Sequence, residues 1–332
     1  MSNTSGFFVI GAGSFGTALA IHLARLGENV SLWGNNPDAL VAMQEARCNE
    51  RYLPDVSFPE TLSISNQIEN GLAAYRDIFI VVPSHAFRDV LKRLKPYLRD
   101  DHRLLWGSKG LDPLQGDFLQ DVAKNELGDR PMAVLSGPSF AKEVALGFPT
   151  AVVIAGTQKD YVEELVRRFS GEKFRAYQSD DMVGVCLGGA MKNVLAIAVG
   201  ISDGLGFGAN ARSALMTRGL AEMVRLGVAC GAEQSTFLGL AGTGDVILTC
   251  TDDQSRNRRF GLALGRGEEP EAIKKNIGQA VEGATTASLI DKLGKQHDVD
   301  LPITQMVCQA LAGKLSIQEA VQALFSRELK AE

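Results

Sequence analysis

Short apolar runs alternate with helix-length stretches through the first half of the chain. The runs are Phe7 to Ile10, Asn29 to Trp33, Asp77 to Val82, Arg103 to Trp106, Met132 to Leu135 and Ala151 to Ile154. Short, largely apolar runs spaced by helical patterns predict a mostly parallel sheet covered on both faces. Around residue 180 the rhythm stops. From Ser179-Asp180-Asp181, an N-cap sequence, the periodicity predicts helices near 182–203, 210–230, 283–296, 302–313 and 316–327. The last opens on the capping-box pattern Ser316-Ile-Gln-Glu319. The expectation is an α/β domain over residues 1–185 and an all-α domain over 186–332. With no Pro/Ser-rich linker between them, a continuous helix is expected to join the two, and a cleft between such domains is a usual place for a ligand.

The first strand runs directly into Gly11-Ala-Gly13-Ser14-Phe15-Gly16, followed by a helical pattern from Thr17 to Leu26. In that context the first glycine permits a tight turn, the second lets a pyrophosphate approach the backbone and the third lets helix pack on strand. The helix N-terminus adds N–H donors and the positive end of its dipole. A Rossmann-type dinucleotide-binding domain follows from this order of strand, loop and helix. An acid at the end of the second strand would bond the ribose 2′-hydroxyl of NAD. Here that place reads Trp33-Gly34-Asn35-Asn36, without an acid or an arginine, so NADP and NAD both stay open. Asn36 before Pro37 is equally suited to cap a helix.

Composition sharpens this picture at one point. The chain has 35 glycines in 332 residues, about twelve more than average usage gives. Thirteen of them fall in three clusters: the loop just described, Gly184 to Gly208, and Gly239 to Gly244. A net charge of −5 gives no long-range attraction to nucleic acid or an anionic membrane, and neither is expected as a partner. Five cysteines without a C-x-x-C and four histidines without a close pair indicate neither a disulfide framework nor a metal site. The stretch from Met182 to Ile201 is apolar enough to suggest a membrane span, but it carries Lys192, Asn193 and four glycines, which favours a buried core helix. No basic residue precedes Arg25, and Phe7 to Ile10 is too short for a signal-peptide core, so a cytoplasmic location is expected.

Further segments narrow the function: Gly107-Ser-Lys109-Gly110, Ser136-Gly-Pro-Ser-Phe-Ala-Lys-Glu143, Gly189-Ala-Met-Lys192-Asn193-Val-Leu-Ala-Ile-Ala, Asp203-Gly-Leu-Gly-Phe-Gly-Ala-Asn210, and Gly242-Thr-Gly-Asp245 followed by Thr249-Cys-Thr-Asp-Asp-Gln-Ser255-Arg-Asn-Arg. With the glycine loop, and in this order, they resemble the bacterial NAD(P)-dependent glycerol-3-phosphate dehydrogenases from residue 6 to beyond Glu282. The resemblance implies reversible reduction of dihydroxyacetone phosphate to sn-glycerol 3-phosphate for glycerophospholipid synthesis, with NADPH or NADH as reductant. It also implies a homodimer.

Reducing a ketone builds negative charge on the carbonyl oxygen, so a proton donor and fixed positive charge are needed there. Lys192 lies in the most apolar helical stretch, where burial and a second cation would both lower its pKa toward a useful value. Its setting resembles the family's catalytic segment, in which the lysine is general acid for reduction and base for oxidation; the alternative is a lysine snorkelling to the surface or paired structurally. Lys109 is the candidate second cation. The substrate phosphate calls for guanidinium forks and hydroxyl or amide donors, which Ser255, Arg256 and Asn257 offer at what reads as a helix N-terminus. Arg258 and Arg259 are expected in capping or ion pairs. By resemblance, Lys109, Gly137, Ser139, Lys192 and Asp245 line the substrate pocket with Ser255, Arg256 and Asn257. Gly11, Gly13, Ser14, Phe15, Gly16, Asn35, Lys109, Ala141, Arg256 and Glu282 are expected at the cofactor.

Asp245 is suited to orient a lysine ammonium or a substrate hydroxyl, or to cap a helix after Gly244. Phe15 is expected to wall the nicotinamide side, with core packing as the alternative. Asn35 stands where relatives often carry Arg or His, and Cys250, without a neighbouring His, reads as a small buried apolar group. Two rival functions are a β-hydroxyacid or 6-phosphogluconate type dehydrogenase, which also pairs an N-terminal dinucleotide fold with a helical domain, and a non-catalytic nicotinamide sensor, in which the glycine loop binds ligand but no chemistry follows. The former places its catalytic lysine and asparagine four apart on one helix face, whereas Lys192 and Asn193 are adjacent.

Overall fold

The computed structural model describes residues 4–314 and Glu319. Ten strands follow in chain order: β1 (Thr4–Ile10), β2 (Val30–Trp33), β3 (Cys48–Asn49), β4 (Leu53–Ser57), β5 (Leu62–Ser65), β6 (Tyr75–Ile80), β7 (Arg103–Trp106), β8 (Met132–Ser136), β9 (Thr150–Gly156) and β10 (Phe174–Ser179). Between them lie α1 (Ser14–Arg25), α2 (Pro37–Ala46), α3 (Ile68–Ala74), α4 (Ser84–Leu94), α5 (Leu119–Leu127), α6 (Ala141–Leu146) and α7 (Lys159–Phe169). Eight strands form one sheet in the order β10-β9-β8-β7-β6-β1-β2-β5. Every pair is parallel except β8 with β9. The chain works outward from β1 through β2 to β5, then returns to β6 on the other side of β1, so the direction of winding reverses between β1 and β6. Ligands of doubly wound sheets bind at such a reversal, beyond the carboxyl ends of the strands.

All six expected strands are present. The four that periodicity does not predict are the sheet edges β5 and β10 and the small antiparallel pair β3–β4. Their burial explains the omission: β10 alternates buried and exposed positions and β5 is only half-buried, whereas β2, β7 and β8 are buried at every residue.

The remaining helices are α8 (Met182–Gly204), α9 (Gly208–Ala229), α10 (Gln234–Leu238), α11 (Asp245–Thr251), α12 (Arg256–Gly265), α13 (Pro270–Ile277), α14 (Glu282–Gln296) and α15 (Pro302–Leu311). The helix expected near 316–327, with its capping box, lies outside the described residues apart from Glu319. Asp181 caps α8 by accepting the Gly184 amide at 2.8 Å, and its other oxygen holds the Glu233 amide and the Thr236 hydroxyl. By length and composition α8 could cross a membrane, with a mean hydropathy of 1.8, yet 94% of that stretch is buried inside the fold. Its first turns, through Val185 and Cys186, join the apolar core under the sheet, and from Leu187 onward it is the axis of a second, helical core.

Glycine sets how closely the other helices approach α8. A Cβ on Gly200 would lie 2.3 Å from the Arg258 carbonyl oxygen, and one on Gly204 would lie 2.4 Å from that of Leu262. In return, a Cβ on Gly261 or Gly265 of α12 would lie 2.2 Å from the Ile197 carbonyl oxygen or 2.4 Å from that of Ile201. Two helices thus meet backbone to backbone, and this seats the start of α12 beside the middle of α8.

Candidate active site

Around the β1–β6 reversal the glycine loop has the shape a dinucleotide needs. Gly11 has φ of +125°, and a Cβ there would sit 2.1 Å from the Val81 carbonyl oxygen. Gly16 lies over the Gly11 carbonyl, where a Cβ would come within 1.9 Å. Gly13, by contrast, faces open space, with nothing within 4 Å of where a Cβ would stand. The loop is therefore packed shut toward the sheet and left bare at the position a pyrophosphate would approach. Ser14 begins α1, three residues earlier than the helical pattern suggested. Phe15 is partly buried against Gly107, and the Lys109 ammonium stands 5.6 Å from its ring centre. Asn35 is exposed just beyond β2, while Asn36 caps α2 by accepting the Ala39 amide at 3.1 Å.

On the helical side of the same cleft, Lys192 occupies the middle of α8 with its ammonium on Oδ1 of Asp245. The other carboxylate oxygen of Asp245 accepts from Lys109, in the turn after β7, at 3.1 Å. Thr249, one turn further along α11, donates to Asp245 Oδ1 at 3.3 Å. Asp245 is wholly buried and is the first residue of α11, so it binds ammoniums rather than capping the helix. A single π-turn over Leu240–Gly244 delivers it there, a feature that often marks functional sites. That turn fits because Gly188 of α8 lets the Ala241 carbonyl approach to where a Cβ would be 2.3 Å away.

The electrostatics follow from burial and this short chain of charges. Burial, joined by the neighbouring Lys109 charge, pulls the Lys192 pKa down to about 7 against the opposing pull of Asp245. Burial works against the charged form of Asp245 as well, but the Lys109 and Lys192 ammoniums hold its carboxyl below the usual range. Cys250 is buried and its thiol is pushed up to about 12, so it has no nucleophilic character and packs as an apolar group.

The other expected residues fall into two groups. At the start of α12, Ser255 caps the helix by accepting the Arg258 amide at 3.2 Å, and Arg256 donates to Gln279 at 3.1 Å. Asn257 is buried; it donates to Asn193 Oδ1 at 2.9 Å and accepts the Gly283 amide at 2.9 Å. It thereby ties the residue after Lys192 to the N-terminus of α14. There Glu282 accepts the Ser84 amide, at the N-terminus of α4, at 3.4 Å. Burial raises the Glu282 carboxyl, opposed by the charge of Arg256, by the bond from the Ser84 amide and by the charges of Lys109 and Lys192. Arg258 pairs with Asp203 and Asp253, as an ion-pairing role requires.

The second group lies on the β8 side. Gly137 has φ of +124° and lies against the backbone of Val152; Ser139 donates to the Gly137 carbonyl at 3.0 Å, and Ala141 opens α6. Pro138 packs beside Gly244 at the foot of the π-turn, which brings this segment to the Asp245 side of the cleft. Asn193, Thr249 and Ser84 were not singled out from the sequence. Only Asn193 carried a local signal, as the neighbour of Lys192 in the most apolar helix.

A dinucleotide fold whose glycine loop opens toward a buried lysine–aspartate pair on a helical domain defines a nicotinamide-dependent dehydrogenase. Residues 7–162 match the NAD-dependent glycerol-3-phosphate dehydrogenase N-terminus and residues 181–322 the C-terminus of the same enzymes. The chain belongs to this family. The glycerol-3-phosphate dehydrogenase [NAD(P)+] of Photorhabdus laumondii is 53% identical over 100% of this chain and 98% of its own length. That of Shewanella frigidimarina is 52% identical over 100% and 99%. The crystal structure of glycerol-3-phosphate dehydrogenase from Coxiella burnetii superposes with a TM-score of 0.95 at 48% identity, covering 98% of this chain and 99% of that one. Both halves match one family, so neither the hydroxyacid dehydrogenase nor the sensor reading has support.

Proposed function

We propose that Lys192, Asp245 and Lys109 are the proton-transfer group of a reversible dihydroxyacetone phosphate reductase, with Lys192 as the acid. The activity is that of the family: NAD(P)H-dependent reduction of dihydroxyacetone phosphate to sn-glycerol 3-phosphate, the backbone of glycerophospholipids. The observation that carries the residue assignment is the buried contact of Lys192 with Asp245, whose second oxygen holds Lys109.

When bound, the reduced nicotinamide supplies a hydride to the C2 carbonyl carbon. As charge builds on the carbonyl oxygen, Lys192 Nζ gives up a proton to it and becomes neutral beside Asp245. The fixed Lys109 ammonium stabilises the developing oxyanion and keeps the Lys192 proton labile. Asp245 holds both ammoniums in place, so neither has to be reorganised as the reaction proceeds. In the oxidative direction neutral Lys192 takes the hydroxyl proton.

Ser255, Arg256 and Asn257 meet the phosphate at the α12 N-terminus, where a guanidinium and helix-end donors converge. Gly137 and Ser139 close the β8 side. Gly11, Gly13, Ser14, Phe15 and Gly16 receive the dinucleotide, Asn35 stands at its adenosine end, and Ala141, Arg256 and Glu282 border its other end. We place the boundary between dinucleotide and substrate domains at residues 185/186, within α8. A homodimer in the cytoplasm completes this reading; Phe207, Leu238 and Ile247 are exposed apolar groups of the helical half that a second copy could cover, and sedimentation velocity decides the oligomeric state.

The test is nicotinamide absorbance loss when purified protein is mixed with dihydroxyacetone phosphate and NADPH or NADH in parallel. Oxidation with at least one cofactor is expected, and the ratio of initial rates gives the preference. No oxidation with either would refute the reading.

A further inference from the structure

Asn49 belongs to the small β3–β4 pair and lies far from the glycine loop in sequence. Its side chain is nonetheless 2% exposed and points into that loop. Its amide nitrogen donates to the Ala12 carbonyl at 3.1 Å and to the Thr17 hydroxyl oxygen at 2.8 Å.

The elements around it are fixed. Arg47 ends α2 in the left-handed region at φ of 51° and anchors its guanidinium on the carbonyls of Leu62 at 2.8 Å and Pro59 at 2.6 Å. Cys48 donates from Sγ to the Pro54 carbonyl at 3.1 Å across the pair. The turn from helix into β3 therefore arrives at the loop in one orientation.

Ala12 lies between the first two glycines of the loop. In a trans peptide the carbonyl and the following N–H point in opposite directions across one plane. Holding the Ala12 carbonyl on Asn49 thus turns the Gly13 N–H away from Asn49, and Gly13 leaves the loop uncovered, with nothing within 4 Å of where a Cβ would stand. A loop of glycines has no steric preference of its own that would hold this plane.

We infer that Asn49 is a positioning residue for cofactor binding: its amide locks the Ala12–Gly13 peptide so that the Gly13 N–H is presented to the dinucleotide's pyrophosphate. The inference rests on the reading of the glycine loop as the dinucleotide site. Both of its acceptors are oxygens, so the position demands a donor, and an isosteric carboxylate would set oxygen against the Ala12 carbonyl. The pyrophosphate is common to NAD and NADP, so the effect applies equally to both.

Calorimetric titration of NADPH, NADH and adenosine into the full-length protein and its Asn49→Asp, Asn49→Leu and Thr17→Val variants tests this. Asn49→Asp and Asn49→Leu should weaken both dinucleotides by about tenfold, near the upper net value of one hydrogen bond. Adenosine, which carries no phosphate, should bind all forms alike, and kcat at saturating cofactor should hold within about twofold. Thr17→Val keeps the Ala12 bond and should change dinucleotide affinity little. Folded Asn49 variants with unchanged dinucleotide affinity, an equal loss for adenosine, or a Thr17→Val loss as large as that of Asn49→Leu would overturn the inference. Failure of the wild-type protein to bind any dinucleotide would instead overturn the reading of the loop.

Discussion

Lys192 and Asp245 meet across 53 residues of sequence in a contact sealed from water on the Asp245 side. A lysine at the centre of the most apolar helix is costly to charge, and the aspartate offsets part of that cost. The pair stays poised because Lys109 occupies the second carboxylate oxygen and repels the Lys192 charge.

Lys192→Ala removes the proposed proton donor while leaving the glycine loop untouched. Turnover should fall by about 10²- to 10⁴-fold, the usual worth of a general acid, with cofactor affinity nearly kept. Steady-state rates and a cofactor titration check both halves of this expectation.

Asp245→Asn leaves two ammoniums facing each other in a buried space. Removing one partner of a buried ion pair costs about 3–5 kcal/mol, which Lys192 can relieve by giving up its proton. The variant should be less stable in urea and a poor reductase even at pH values where the wild-type protein is active.

Gly261→Ala would place a Cβ 2.2 Å from the Ile197 carbonyl oxygen, with backbone on both sides of the contact. Overpacking of this kind costs about 1–3 kcal/mol and would push α12 off α8. A lowered unfolding midpoint should come with a raised KM for dihydroxyacetone phosphate, because Arg256 and Asn257 ride on α12. An unchanged KM in a destabilised protein would show that the helix spacing does not set the phosphate subsite.

Arg256→Ala should chiefly raise the KM for dihydroxyacetone phosphate, with a smaller effect on turnover, since charge-assisted bonds to a phosphate act in ground and transition states alike. Initial-rate measurements over a substrate series separate the two.

Those features that depend on local order were legible in the sequence. The glycine loop is read from its strand and helix neighbours, and the six inner strands from short, largely apolar runs. Edge strands such as Phe174–Ser179 carry Arg175 and Tyr177 on an open face and so lack that signal. The antiparallel turn of β9, the π-turn before Asp245 and the short helices between residues 230 and 282 depend on what they pack against. Lys109, Lys192 and Asp245 were separately recognisable as residues, but the Asn257 link between Asn193 and Gly283 joins three distant segments. No local pattern encodes such a link. The glycine excess had its origin in the same geometry: much of it lies where backbone must touch backbone around α8 and α12.

In the proposed mechanism one lysine moves the proton in both directions. Reduction needs Lys192 protonated, so kcat/KM for dihydroxyacetone phosphate should fall as pH rises through about 7. Oxidation of glycerol 3-phosphate needs it neutral and should rise through the same midpoint. Lys109→Met removes a charge that lowers the Lys192 pKa, so both limbs should shift to higher pH in that variant. The most direct measurement is therefore kcat/KM in both directions across neutral pH for the wild-type and Lys109→Met proteins. Mirror-image limbs with one midpoint, displaced upward in the variant, are predicted; limbs of the same sign, or a midpoint unmoved by Lys109→Met, would contradict it.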